Sequence, residues 1–304
     1  MPRVIETVTA VFAAFGRHEA LMPPKVYLDL PQYAGDFRAM PAYVAGAAGV
    51  KWVNSHPENP KRYNLPTVMA VLILNDPATA RPLAIMDGTI ITQYRTGAAA
   101  AVATQHLARP DARSLGVVGC GAQAIAHVEA ITAVRTFEEI RLFDVDPERA
   151  RRVAAAVPQL PARVTSIEAT AGADVVLTLT PVTKPIVRRE WVKPGAHVNA
   201  MGADAAGKQE LDSELTLAAR VFVDAWEQAS HSGEINVLVH QGRLDRQSIA
   251  GELGEVVAGL LPGRLGDEIT IFDSTGLAVQ DIATAKYLYE EALKRGVGTE
   301  IELL

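Results

Sequence analysis

The chain has 304 residues, 49% of them hydrophobic and 21% charged, with a formal net charge of −6. At roughly 150 residues per domain the length predicts about two domains, and an apolar content near half excludes global disorder. A pI of about 5.7 offers no basic stripe for phosphates, which excludes a nucleic-acid or anionic-membrane binder and leaves a small-molecule or protein partner.

The first residues, MPRVIETVTAVFAAFGRHEALMPP, lack the basic segment, compact apolar segment and small-residue cleavage site of a signal peptide. Val4, Val8, Val11, Phe12 and Phe15 have helical spacing, and Gly16 reads as the stop. KVYLDL, GVKWVN and TVMAVLIL, between Lys25 and Leu74, are short runs separated by Pro and Gly clusters. They read as strands of a small mixed or antiparallel sheet. Arg38, in DFRAMP, reads as a surface arginine on pattern alone. Lys51 interrupts an apolar run, so it either snorkels to the surface or is partly desolvated for proton transfer. TGAAAAVATQHL (96–107) is small on every face and predicts a tightly packed helix. Arg95-Thr96-Gly97 then falls at a loop-to-helix junction, where an arginine and helix-start N–H groups could share an anion.

After Arg109-Pro110-Asp111 the pattern changes to six apolar runs of strand length: SLGVVG, EIRLFD, DVVLTLT, HVNAMG, RVFVDA and EITIFD. Strands buried on both faces need such runs, so they predict a parallel sheet covered by helices. The first run leads into Gly119-Cys120-Gly121-Ala122-Gln123-Ala124, a G-x-G-x-x-A turn before a helix. Gly119 permits the tight turn, Gly121 lets a pyrophosphate approach the backbone, and Ala124 lets helix and strand pack closely. The second run ends in Asp144, close to the ~20-residue spacing at which an acid meets the ribose hydroxyls. A carboxylate there repels a 2′-phosphate, so NAD is expected rather than NADP. Cys120, the only cysteine, excludes an internal disulfide, suits a reducing cytoplasm and reads as a small buried residue.

Asp204 follows the fourth run, at the strand end where open α/β sheets place ligands, and reads equally as a turn aspartate. Asp273-Ser274-Thr275-Gly276 follows the last run, and 276–295 reads as a long amphipathic helix. The seven His residues lack metal-ligand spacing, and zinc-protease, P-loop and serine-hydrolase motifs are missing. No stretch approaches the roughly 18 apolar residues of a membrane helix. The expectation is a soluble cytoplasmic α/β protein without a metal. Its Rossmann-type, doubly wound parallel sheet would occupy 112–276, and a smaller α+β domain 1–111 with 277–304.

VKWVNSHPENP (50–60), LPTVMAVLILND (65–76), IMDGTIITQYRTGAAAA (85–101), VVGCGAQA (117–124), NAMGADAAGKQELD (199–212), SGEIN (232–236) and ITIFDSTGLAVQDIA (269–283) together resemble the ornithine cyclodeaminase/mu-crystallin family, and within it the archaeal-type NAD-dependent alanine dehydrogenases. The resemblance implies a homodimer whose smaller domain binds substrate and dimerises. It implies Lys51 and Asp204 as catalytic residues, and Arg38, with Lys25 or Lys51, as the grip on a substrate carboxylate. It places NAD against Arg95, Thr96, Gly119, Gly121, Ala122, Gln123, Asp144 and Ser274. The implied activity is oxidative deamination of a small L-amino acid, L-alanine first. Ornithine cyclodeamination, cyclic ketimine reduction and storage of a small ligand are the alternatives. Lys25 stands where the cyclodeaminases carry arginine, which weakens a bidentate carboxylate clamp. Mu-crystallin favours a phosphorylated cofactor, against which Asp144 argues.

Overall fold

Val4, Ile5, Val8, Val11 and Phe12 form the buried stripe of helix α1 (Pro2–Gly16) in a computed structural model describing residues 1–302. Gly16 is the last helical residue, and its reason is contact rather than termination: a Cβ there would lie 2.2 Å from the Gly254 carbonyl oxygen.

The chain divides into two compact units, one of residues 1–19 and 93–277, the other of 20–92 and 278–304. The boundaries therefore differ from the sequence expectation. Helix α1 packs on α10 (Leu253–Val257) of the larger unit, and the boundary at 92/93 falls inside helix α3 (Gly88–Leu107).

In the smaller unit β1 (Val26–Leu30), β2 (Gly35–Val44), β3 (Ala47–Ser55), β4 (Val68–Asn75) and β5 (Pro82–Asp87) form one antiparallel sheet in chain order. The short α2 (Asn59–Tyr63) joins β3 to β4, and α3 (Gly88–Leu107) follows β5. The alternation of β4 decides which face is covered. Ala70, Leu72 and Leu74 are buried, whereas Val71 and Ile73 are exposed. Strand β2, which carries Arg38, was not among the expected strands.

The larger unit continues with β6 (Ser114–Val118), α4 (Ala124–Val134), β7 (Glu139–Phe143), α5 (Pro147–Ala156), β8 (Ala162–Val164), α6 (Ile167–Ala171), β9 (Val175–Thr178) and β10 (His197–Ala200). It ends with α7 (Ser213–Ala218), β11 (Arg220–Val223), α8 (Trp226–Ser232), α9 (Asn236–His240), β12 (Gly251–Glu252), α10 (Leu253–Val257) and β13 (Thr270–Asp273). Its eight strands pair in parallel in the order β12-β11-β13-β10-β9-β6-β7-β8. All six expected runs are strands of this sheet. The winding reverses between β6 and β9, the switch point where such sheets hold ligands. Helix α11 (Ala278–Arg295) belongs to the smaller unit and packs on β2, β3 and β4.

Candidate active site

In the larger unit the glycine turn follows β6 directly. Gly119 has φ +98°, and a Cβ there would lie 2.7 Å from Thr180 Cγ2 beyond the end of β9. A side chain at Gly121 would meet nothing within 4 Å, leaving the backbone open at the start of the eleven-residue α4. Asp144, after β7, accepts from Cys120 N (2.8 Å) through Oδ2 and from Asp146 N (2.9 Å) through Oδ1. The acid thus braces the turn from the side where a ribose would lie. Gln123 Oε1 and His127 Nε2 are buried and lack hydrogen-bond partners among the described residues. An open glycine and a helix N-terminus fit a dinucleotide phosphate. The two unspent atoms, an amide oxygen and the bare nitrogen of a neutral imidazole, are acceptors and fit hydroxyl or N–H donors rather than the phosphate. Ala122 is exposed in the same turn. Burial pushes the Cys120 thiol up to about 12, consistent with a structural cysteine, and lowers buried His127 to about 4.

Arg95 and Thr96 do not lie at a loop-to-helix junction. Helix α3 begins at Gly88, so both are helix-interior residues, Arg95 buried and Thr96 half-buried. The guanidinium sits against Gly276, whose φ is +81° and where a Cβ would lie 2.6 Å from Arg95 Nη1. Gly276 is held in turn by buried Asp224, a residue the sequence reading missed. Asp224 accepts from Gly276 N and Thr275 N at 2.7 Å each and from Ser274 Oγ at 3.2 Å. Its signal was an acid closing an apolar run, RVFVDA.

Asp204 lies in the loop after β10, with Oδ1 2.5 Å from Lys208 Nζ. Two further residues pin that loop. Glu210 accepts from Gly202 N (2.8 Å) and from both N and Oγ1 of Thr180 (2.6 and 2.7 Å). Asn236 accepts from Gly207 N (2.9 Å) and donates to Lys208 O (2.8 Å). Glu234 accepts from the backbone N of Glu210 and Leu211. Burial raises the pKa of Glu210, Glu234 and Asp273, the last to about 8.

In the smaller unit Lys51 is not a snorkelling lysine. It is 1% exposed, and its Nζ lies 2.8 Å from Asp281 Oδ2 on α11. Asp281 was also missed, although it falls on the buried stripe with Ala278, Ile282 and Ala285. Arg38 is buried on β2, not a surface residue; Nε and Nη2 donate to Asp36 at 2.8 and 2.9 Å, and the guanidinium lies 5.3 Å from the Tyr27 ring centroid. The β2–β3 register sets Arg38 opposite Val53 and Met40 opposite Lys51, so arginine and lysine share one face of the sheet. Lys25, just before β1, is half-buried. Among the described residues no cluster of three or more His, Cys, Asp or Glu could hold a metal, and no helix is long and apolar enough to cross a membrane.

The larger unit is thus a Rossmann-type sheet with a glycine turn braced by Asp144, carried in one chain with a second unit that buries a lysine–aspartate pair. The chain belongs to the ornithine cyclodeaminase/mu-crystallin family, whose model matches residues 1–296. It is 47% identical to an alanine dehydrogenase of Archaeoglobus fulgidus over 99% of this chain and 94% of that protein. Its structure matches an archaeal alanine dehydrogenase dimer with bound NAD at TM-score 0.97 and 47% identity, covering 100% of this chain and 95% of that one. It matches the Δ1-pyrroline-2-carboxylate reductase of Thermococcus litoralis, in complex with NADH and L-proline, at TM-score 0.94 and 36% identity, covering 98% and 95%.

Proposed function

We propose that the protein is an NAD-dependent amino-acid dehydrogenase that converts L-alanine and water to pyruvate and ammonium, reversibly, and works as a homodimer. The observation that carries this reading is the buried Lys51, held in an ion pair on the same sheet face as Arg38. Storage of a small ligand requires no such group. The cofactor, bound along Gly119–Gln123 and Asp144, supplies the hydride acceptor for the substrate Cα.

The chain's own residues do the rest. Arg38, its guanidinium plane fixed by Asp36 and Tyr27, grips the substrate carboxylate, with Lys25 adding positive charge. By fixing the carboxylate, Arg38 would orient the substrate and remove rotational freedom before the reaction. Lys51 and Asp204 move the protons as water adds to the imino carbon and ammonia departs. Arg95, Thr96 and Ser274 hold the cofactor, Ser274 on a loop anchored by Asp224. Asp144 selects the unphosphorylated ribose.

Lys51→Ala tests the class of protein. It is expected to keep NADH affinity, read by fluorescence titration, while turnover of L-alanine falls about 10²–10⁴-fold. Unchanged turnover would remove Lys51 from the chemistry.

A further inference from the structure

Two contacts of Lys51 bear on its chemistry. Its Nζ lies 2.8 Å from Asp281 Oδ2, with both side chains shut off from solvent at 1% and 0% exposure. The same nitrogen lies 3.3 Å from Thr92 Oγ1, and that hydroxyl spends its own proton on the Gly88 carbonyl at 2.7 Å. The Thr92 oxygen therefore accepts from Lys51 Nζ, and the contact of Nζ with Asp281 is an ion pair. The register sets the following groups on the same face of the sheet as Lys51. Strand β2 brings Arg38 already matched by Asp36, β1 brings Tyr27 beside Arg38, and β4 and β5 bring only Ala70, Leu72, Leu74, Ala84 and Met86 to this face. The buried lysine faces a buried aspartate, and removing one takes from the other a charged partner at 2.8 Å.

We propose that Asp281 is a positioning residue for Lys51: its buried carboxylate keeps the lysine an ammonium and aims Nζ, so Lys51 enters the reaction as a proton donor and not as a free amine base. The inference rests on the deamination reading above. Once water has added to the imino carbon, Lys51 gives a proton to the departing nitrogen. The C–N bond breaks with its electron pair on nitrogen, the carbonyl forms, and the hydroxyl proton of the carbinolamine returns to Lys51. Ammonia and the keto acid leave with the lysine restored.

NMR of the full-length protein carrying ε-13C-lysine, with Lys51 assigned through Lys51→Arg, reads the proton directly. Lys51 is expected to be an ammonium at pH 8, as its carboxylate partner favours the charged form. Asp281→Asn is expected to bring its titration down by at least about 1 pH unit, because the opposite charge favouring the ammonium is gone. The high-pH limb of kcat/KM for L-alanine should move with it, and Asp281→Glu should restore part of the shift, which a purely structural aspartate would not do. A neutral Lys51 in the wild-type protein at pH 8, or an unshifted titration in Asp281→Asn, overturns the proposal. The wild-type titration needs no turnover, and Lys51→Arg serves only to assign the signal. Protein inactive on every amino acid would therefore sink the deamination reading alone, and the titration would still decide the pair.

Discussion

Charged residues inside apolar segments are where reading by pattern and reading by contact diverge. Lys51 carries the same local signal whether it snorkels or is buried, because only its partner decides, and Asp281 lies 230 positions along the chain. The position of Asp144 at the end of β7, against the glycine turn, was legible because that spacing is set by the βαβ unit itself, whereas its role toward a ribose is a proposal. Replacing it with Ser should shift the NADP-to-NAD ratio of kcat/KM by about tenfold or more, ~1.4 kcal/mol, and an unchanged ratio would detach Asp144 from the ribose. Gly276→Ala forces a Cβ into φ +81° and against Arg95. It should cost ~1–2 kcal/mol in urea unfolding from backbone strain alone and should also weaken NADH binding. Asp273 gives a pH signature. Its folded pKa, raised by burial from 3.8 to about 8, means that its contribution to stability is complete below 3.8 and lost as pH rises through about 8. Asp273→Asn should flatten the fall in unfolding free energy across that window; an identical pH–stability curve would contradict the assignment.

Elements were legible wherever one period ran unbroken. The six apolar runs of the parallel sheet needed no tertiary information, since burial on both faces leaves no polar positions to confuse them. Strand β2 was not legible, because Asp36, Arg38 and Pro41 break its alternation. The register explains why proline is tolerated there: pairing with β1 ends at Ala39, so Pro41 has a partner strand on one side only. The start of α3 was also missed. Its first turns, GTIITQYR, are rich in β-branched residues that weaken helix propensity, and contacts outweigh that preference. At Gly97 of this helix a Cβ would lie 2.7 Å from the Ala126 carbonyl oxygen on α4. Gly97→Val should therefore push α3 from the helix that follows the glycine turn, lowering the melting temperature and weakening NADH binding together. Normal NADH affinity in a folded Gly97→Val protein would show that this approach does not matter to the turn.

At the scale of the molecule, the five-stranded sheet leaves one face apolar and uncovered. Val26, Leu28, Trp52, Val71, Ile73 and Ile85 are between 37% and 63% exposed, and by register they lie on the side opposite Lys51. A monomer rarely leaves so continuous a patch to water, and the proposed homodimer would cover it with a second copy of the same face. Val71→Glu should bring the solution mass by light scattering to the 32.5 kDa of one chain with circular dichroism unchanged; a variant that stays dimeric would move the interface elsewhere. Composition indicated none of this, because 49% hydrophobic residues fit an average core equally well. Net oxidation of an amino acid is decided by following NADH absorbance and ammonia release together with purified protein and NAD, supplied with L-alanine or L-ornithine. NADH and ammonia should rise one to one with L-alanine. Ammonia from L-ornithine without net NADH, and nothing from L-alanine, would contradict it and make the protein a cyclodeaminase.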